Sequence, residues 1–597
     1  MTTKYRIFAF LALTISTLTV SSFTTEKTNV NADDKTYFKY LIHLSDKSGT
    51  PFSIDKPEAF LSSKAIERRK KQGATIDETD LPISPAYLEK VASVKNVTVL
   101  YTSKWLNGIV VQVSHEYDID PIEDFDFVKK VQLLGKYTKK DPNTTAAKDA
   151  KPVKDNFNES AGENSKEVES VRIDLEDIMK RGYGRAYYQN RMINMLKVHD
   201  MGFHGEGMTI AVIDGGFKNY YRHRAFDSLR ANNQIHGYRN FVNNDTSVNN
   251  NGSHGMSVLS CIAANAPGTM IGTAPKASFW LIDSEDSNSE SSAEETNWAR
   301  SAEFADSVGA DIITSSLGYR DFDDDNLNYT YKDLNGKTAL SSKAAALAAK
   351  KGMMVLIAAG NEGDGKKWNK INAPADADGI LAIGGVDIDR EHTSFSSLGP
   401  AYDKRIKPEV CAQATNVYVT SPTNGFETSQ GTSFATPIMA GAVACLMQAN
   451  PDKTVNEIIA ALKLSGDHNH NPVNDYGYGI PDIFIAHSIL NNNPYFDYSK
   501  ELLFNPAIND FTDRIFYRFY SPTAQDVTIT LTYKGGKKEK VVYTKVHSVT
   551  AKGYLQGDIP KVSKLKYGAY TFTLTTANGI VYTRKIERMA PSKDGRY

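Results

Sequence analysis

Cysteine is scarce: Cys261, Cys411 and Cys445 are the only three in 597 residues. Three scattered thiols argue against a disulfide framework and a structural zinc site, and the odd number leaves at least one without an internal partner. All three read as small buried hydrophobes. Charge of one sign is also missing. Lys and Arg total 69 against 70 Asp and Glu, a net charge of −1, which argues against a nucleic-acid binder driven by bulk charge. Past the N-terminus no stretch reads as long and apolar enough to cross a bilayer. No repeat of solenoid length and no helical His-Glu-x-x-His pattern occurs. What is present suits a folded chain: hydrophobic residues are 41% and charged residues 23%, and the length suggests about four units, or fewer if one is large.

The N-terminus reads as an export signal. Lys4 and Arg6 precede an apolar run from Ile7 to Val20, and Val20-Ser21-Ser22 offers small residues for cleavage. Residues 1–22 are therefore expected to be a signal peptide, and the mature protein to be secreted, extracellular or at the cell surface. A membrane anchor is the alternative, disfavoured because the run is short. In residues 35–136, Phe38, Tyr40, Ile42 and Leu44 alternate, as do Val97, Val99 and Tyr101, and Ile109, Val111 and Val113. With helical patterns at Pro57–Gly73 and Pro85–Val94, this predicts a compact α+β unit. Residues 137–184 open with a stretch rich in Lys, Asp, Asn, Glu, Thr and Ala, the composition of a linker. Residues 185–490 differ. Near-continuous apolar runs at Met208–Ile213, Met354–Ala359 and Ile380–Val386 alternate with helical patterns at Ser341–Lys351 and Val455–Leu464. That predicts an α/β fold whose parallel sheet is covered by helices on both faces. Residues 499–589 return to period two at Ile515–Phe519, Val527–Leu531 and Tyr570–Leu574, and Asn578-Gly579 signals a hairpin. A small β-sandwich-like domain is expected there.

Four segments of the α/β unit carry chemistry. Ile210-Ala211-Val212-Ile213-Asp214-Gly215-Gly216 is an apolar strand ending in an acid, and groups past the carboxyl ends of parallel strands face the binding crevice. Alone, Asp-Gly reads more simply as a turn. Asn251-Gly252-Ser253-His254-Gly255 sets a histidine between glycines at the start of a small-residue helical run. Gly431-Thr432-Ser433-Phe434-Ala435-Thr436-Pro437 puts a serine at a helix N-terminus, where outward N–H groups can stabilise an oxyanion. A plain Ser N-cap explains the serine but not the tight Gly-Thr-Ser approach. Ala358-Ala359-Gly360-Asn361-Glu362-Gly363 ends a strand with an amide able to donate to the same oxyanion. Upstream, Ser316-Leu317-Gly318 leaves a strand as an edge that an extended peptide can pair with.

Together these segments resemble the subtilisin-like serine proteases, or subtilases, in which acid, histidine and serine follow in this order. The resemblance covers residues 185–490, with Gly477-Tyr478-Gly479-Ile480-Pro481-Asp482 fitting the closing segment. It implies that Asp214 orients the imidazole, His254 is general base then acid, Ser433 attacks, and Asn361 with the Ser433 N–H forms the oxyanion hole. Ser316, Leu317, Gly318 and Gly360 would bind substrate. Two motifs depart from the family: Asp-Gly-Gly stands for Asp-Ser/Thr-Gly, and Gly-Ser-His-Gly for His-Gly-Thr-His. Neither removes a catalytic atom. The layout is similar to secreted subtilases of Bacteroidetes-type bacteria, which implies that residues 35–136 are a prodomain that assists folding and inhibits the enzyme, cut off at a maturation site within 137–184. Phe504-Asn505-Pro506-Ala507 and Leu565–Tyr570 resemble C-terminal sorting domains of type IX secretion, implying outer-membrane secretion machinery as a partner; the tail Ala590–Tyr597 departs from them.

The expected function is thus a secreted serine endopeptidase acting on proteins or peptides, requiring no cofactor, with its own prodomain as inhibitor and no nucleic-acid partner. Structural calcium is common in the family, but no oxygen-ligand loop stands out. One alternative is a catalytically inactive subtilase-fold binding or surface protein. Another is a metallohydrolase on Asp467, His468 and His470, whose spacing does not close a catalytic zinc site.

Overall fold

The computed structural model describes residues 36–138, 182–249, 252–469, 471–491 and most of 503–588. Residues 1–22, where a signal peptide is expected, most of 137–184, His470 and residues 590–597 lie outside the described residues.

The N-terminal unit is a four-stranded antiparallel sheet. Strands β1 (Thr36–Leu44), β2 (Val97–Ser103), β3 (Gly108–Val113) and β4 (Val128–Thr138) lie in the order β2-β3-β1-β4. Alternation splits β1: Phe38, Tyr40 and Ile42 join the unit's own core, whereas Leu41 faces the neighbouring domain. The helical pattern from Pro57 divides in two. Pro57 opens only a single 3₁₀ turn, and helix α1 runs over Ser63–Gln72, capped by the Ser62 side chain and closed by Gly73 in the left-handed region. Helix α2 (Pro85–Ala92) starts at its proline, where the missing N–H costs nothing.

The central domain is built on seven parallel strands. These are β5 (Thr209–Asp214), β6 (Ile235–Asn240), β7 (Ser278–Asp283), β8 (Ile312–Ser315), β9 (Met354–Ala358), β10 (Leu381–Val386) and β11 (Val410–Gln413). Their spatial order is β11-β10-β9-β8-β5-β7-β6. Burial on both faces explains the unbroken apolar runs. In β5, Ile210 and Val212 enter one core while Ala211 and Ile213 enter the other. The first core also holds residues of helices α3 (His254–Ala263) and α6 (Thr432–Ala449); the second holds residues of α4 (Ser292–Ser307) and α5 (Leu340–Lys350). Contrary to the sequence expectation, one later stretch, helix α6, is long and apolar enough to cross a membrane; it is 89% buried as the spine of the first core, which accounts for its composition. Helix α7 (Val455–Ser465) follows it. The three cysteines are free and buried.

The C-terminal segment forms two small, mainly antiparallel sheets, of three and five strands, around Val527, Ile529, Leu531, Tyr570, Phe572 and Leu574. Strands Gly568–Thr576 and Val581–Arg588 make the hairpin expected at Asn578-Gly579, with Gly579 at φ 77°.

The N-terminal unit docks on α4 and its surroundings through a buried lattice of charges. Arg68 pairs with Asp306, and Arg69 Nη2 reaches Asp306 at 2.5 Å and Asp80 at 2.7 Å. Lys351 closes the lattice on Asp80 at 2.8 Å. Arg68 also donates to the Ala310 carbonyl, and the Ser62 N–H to the Ser307 carbonyl at 3.0 Å, so N-terminal-unit donors satisfy carbonyls at the end of α4. Glu303 accepts from Ser103 Oγ and from the backbone N–H groups of Lys104 and Trp105.

Candidate active site

Strand β5 delivers Asp214 to the carboxyl edge of the sheet, where it is fully buried. Its Oδ1 accepts from the Gly215 N–H at 2.8 Å and from His254 Nδ1 at 2.7 Å. A carboxylate flanked this way only accepts, so Nδ1 carries the imidazole proton and Nε2 is the basic nitrogen. The approach depends on Gly255. A Cβ there would fall 2.6 Å from the Gly216 carbonyl oxygen and 2.9 Å from Asp214 Cβ, while its N–H donates to Gly216 at 3.0 Å. The His254 ring lies 5.8 Å from that of Phe434, the neighbour of Ser433, which brings the histidine beside the first turn of α6.

Ser433 is the second residue of α6. Its hydroxyl donates to the Ser316 carbonyl at 3.5 Å, and Ser316 Oγ donates back to the Ser433 carbonyl at 2.7 Å. Asn361 sits opposite. Its Oδ1 accepts from the Thr432 N–H at 2.9 Å and from Thr432 Oγ1 at 3.0 Å. A backbone N–H can only donate, which fixes the amide's orientation and leaves Nδ2 as its donor. Thr432 thus holds Asn361 in place, a role its position inside the Gly-Thr-Ser motif signalled only by adjacency. Gly360 has φ 111°, and a Cβ there would clash with Glu362 Oε2 at 2.5 Å and Ser397 Oγ at 2.7 Å. Ser316, Leu317 and Gly318 follow β8 directly, but they differ in what they present. The Leu317 side chain is buried in the second core, and Gly318 lies against Asn372.

Asp214, His254 and Ser433 are 0%, 7% and 6% exposed, so charge that develops among them is poorly screened. Such a dry cluster, with a serine at a helix N-terminus, an oriented imidazole and an amide donor, suits acyl transfer. His468 bonds instead to Asp467 at 3.1 Å and stacks on Tyr476. Among the described residues no group of three or more His, Cys, Asp or Glu side chains could hold a metal ion.

A model of the Subtilase family matches residues 205–479, and one of the Peptidase S8 propeptide domain of Bacteroidota matches residues 39–151. Subtilisin of Bacillus pumilus is 30% identical over 261 residues, 43% of this chain and 82% of the relative. Subtilisin DY of Bacillus licheniformis is 29% identical over 269 residues, 45% of this chain and 86% of the relative. Subtilisin E of Bacillus subtilis is 29% identical over 335 residues, 55% of this chain and 79% of the relative.

Proposed function

The chain belongs to the subtilase family and is a serine endopeptidase with a propeptide domain, and from that premise we propose that it is secreted and cuts peptide bonds through Asp214, His254 and Ser433 by way of an acyl-enzyme. The observation that carries this reading is the 2.7 Å bond from His254 Nδ1 to buried Asp214, with the ring beside the α6 N-terminus. In the reacting complex the Ser433 hydroxyl turns from Ser316 to His254 Nε2, a tightening that resting sites often leave to substrate. Nε2 takes the proton as Oγ attacks the scissile carbonyl carbon, and Asp214 stabilises the imidazolium. The oxyanion accepts from Asn361 Nδ2 and the Ser433 N–H. The intermediate collapses as Nε2 hands its proton to the leaving amine. Water then attacks the acyl carbon with His254 again as base, restoring Ser433.

The proposed organisation follows the same logic. Residues 1–22 direct export, 35–136 are the prodomain, 137–184 hold the maturation site, 185–490 catalyse, and 499–589 serve secretion as a sorting module. Labelling of the purified protein by a fluorophosphonate probe tests the nucleophile: wild type is labelled and Ser433→Ala is not. Absence of labelling in a folded, processed protein would instead favour an inactive binding protein. N-terminal sequencing of the form recovered from the medium tests export and maturation together.

A further inference from the structure

Two glycines flank the expected path of the substrate, Gly318 past β8 and Gly360 past β9, and a residue from neither motif spans them. A Cβ on Gly318 would lie 3.2 Å from Asn372 Cβ and 3.4 Å from its Nδ2, and a Cβ on Gly360 would lie 3.3 Å from the same nitrogen. The Asn372 side chain therefore closes the space between the two edges. Its backbone is clamped there from both sides. The Asn372 N–H donates to the Ala359 carbonyl at 3.3 Å, and the next residue, Ala373, exchanges hydrogen bonds of 2.7 and 3.2 Å with Tyr319.

Asn372 is only 8% exposed, yet its Oδ1 meets no donor. Buried polar atoms are nearly always bonded, so an orphan in a substrate path points to a partner that arrives with the substrate. Thr432 fixes the amide of Asn361, but no comparable bond among the described residues holds that of Asn372. Rotation about its last bond can offer Oδ1 to a donor between the glycines. Glu362 adds a carboxylate at the same end. Its Oε2 stands 2.5 Å from the Cβ position of Gly360 and accepts from Ser397 Oγ at 2.9 Å, while Oε1 receives no hydrogen bond among the described residues. The space between the glycines thus ends in acceptors that lack donors. The residue whose carbonyl meets Asn361 Nδ2 lies against Gly360, so its side chain is the one that enters. A leucine or phenylalanine would cover Asn372 Oδ1 and the Glu362 carboxylate and bond neither, which is the costly arrangement. Lysine or arginine brings donors for both, and a charge opposite to that of Glu362.

We propose that Asn372, with Glu362 beside it, is the specificity-determining floor of the subsite for the residue just before the scissile bond, and that the protease cuts after lysine or arginine in preference to leucine or phenylalanine. This rests on the roles given above to Asn361 and Ser433. It is tested on the self-matured enzyme with internally quenched peptides that differ only in that residue: arginine, lysine, leucine or phenylalanine. Arginine is expected to exceed leucine in kcat/KM by about tenfold or more. Asn372→Leu, close in size but without the acceptor, should bring the ratio near one. Asn372→Asp, of the same shape but charged, should raise it. The wild-type series needs no variant and decides the matter if neither variant matures. A wild-type ratio near one or in favour of leucine, or a ratio that neither substitution moves, overturns the inference while probe labelling at Ser433 leaves the protease intact. Failure to cleave any peptide, with no labelling at Ser433, overturns the proposed mechanism and this inference with it.

Discussion

A serine hydroxyl donating at 3.5 Å to a backbone carbonyl gains its nucleophilicity only from the base it turns to. Ser433→Ala and His254→Ala should therefore each lose nearly all casein hydrolysis, and the double variant should be little worse than either, because the groups act as a unit. Near-wild-type activity in Ser433→Ala would refute the mechanism. Asn361→Ala should lower kcat by about 10²–10³ with little change in KM, since its donor serves an oxygen that becomes charged only in the transition state; a change confined to KM would make it a pocket residue. Thr432→Val removes the hydroxyl but keeps the N–H on Asn361, so steady-state kinetics should show a smaller fall in kcat, about tenfold, with KM again unmoved. The Asp, His, Ser and Asn were legible in the sequence because each sits in a short motif with turn glycines that mark a strand or helix end. The part of Thr432 was not. Its hold on Asn361 joins residues 71 apart where α6 starts beyond the end of β9, a contact that no local pattern encodes.

Elements were legible to the degree that burial is two-sided. The apolar runs at Met208–Ile213, Met354–Ala359 and Ile380–Val386 correspond to β5, β9 and β10, buried on both faces. The helical pattern from Pro57 was less well bounded, because Ser62 competes for the cap and wins. The Ser-Leu-Gly edge read as three equivalent positions, yet alternation past β8 turns Leu317 into the core. Helix α3 carries the clearest element-scale prediction. Gly255→Ala forces a methyl against the Gly216 carbonyl and Asp214, which should destabilise the domain by about 1–3 kcal/mol. It should also displace His254 from Asp214. Urea denaturation and kcat, measured on the same preparation, should both fall; a stable variant with normal kcat would show that the strand end yields without cost to the site.

At the scale of the whole molecule, two folded units share one ionic lattice. Among the described residues the Arg68 guanidinium bonds to two catalytic-domain groups, Asp306 and the Ala310 carbonyl. An Arg68→Met prodomain, added to mature enzyme, leaves Asp306 one partner short, and its inhibition constant should rise by roughly one to two orders of magnitude. An unchanged constant would mean that the docking energy lies elsewhere. Acidification should not release the prodomain early. Burial pushes the Asp80 carboxyl up, but hydrogen bonds from Arg69 and Lys351 outweigh it and hold the group at about 2. Arg69 belongs to the same unit, so the share that crosses the interface is that of Lys351; it is present above the ordinary carboxyl value of 3.8 and is lost only as pH falls through about 2. Inhibition by the added prodomain measured at pH 8 and pH 5 should show no Asp80-linked weakening. Secreted wild type should be cut within roughly 137–184, and Ser433→Ala should remain one chain after signal removal. Mass spectrometry decides, and an active enzyme still covalently joined to residues 35–136 would end the prodomain assignment.

The same lattice has a consequence in time. Arg69 and Asp306 are 1% and 0% exposed, so the two units part only when several charges regain their water at once. Hydrolysis of the connecting peptide leaves that barrier untouched. Scission and switching-on are therefore predicted to be separate events, with a latent, nicked species between them. A progress curve begun from unprocessed protein should show a lag that outlasts the appearance of the cleaved band on a gel. Such a lag would be timed by rehydration of the interface rather than by chemistry at Ser433.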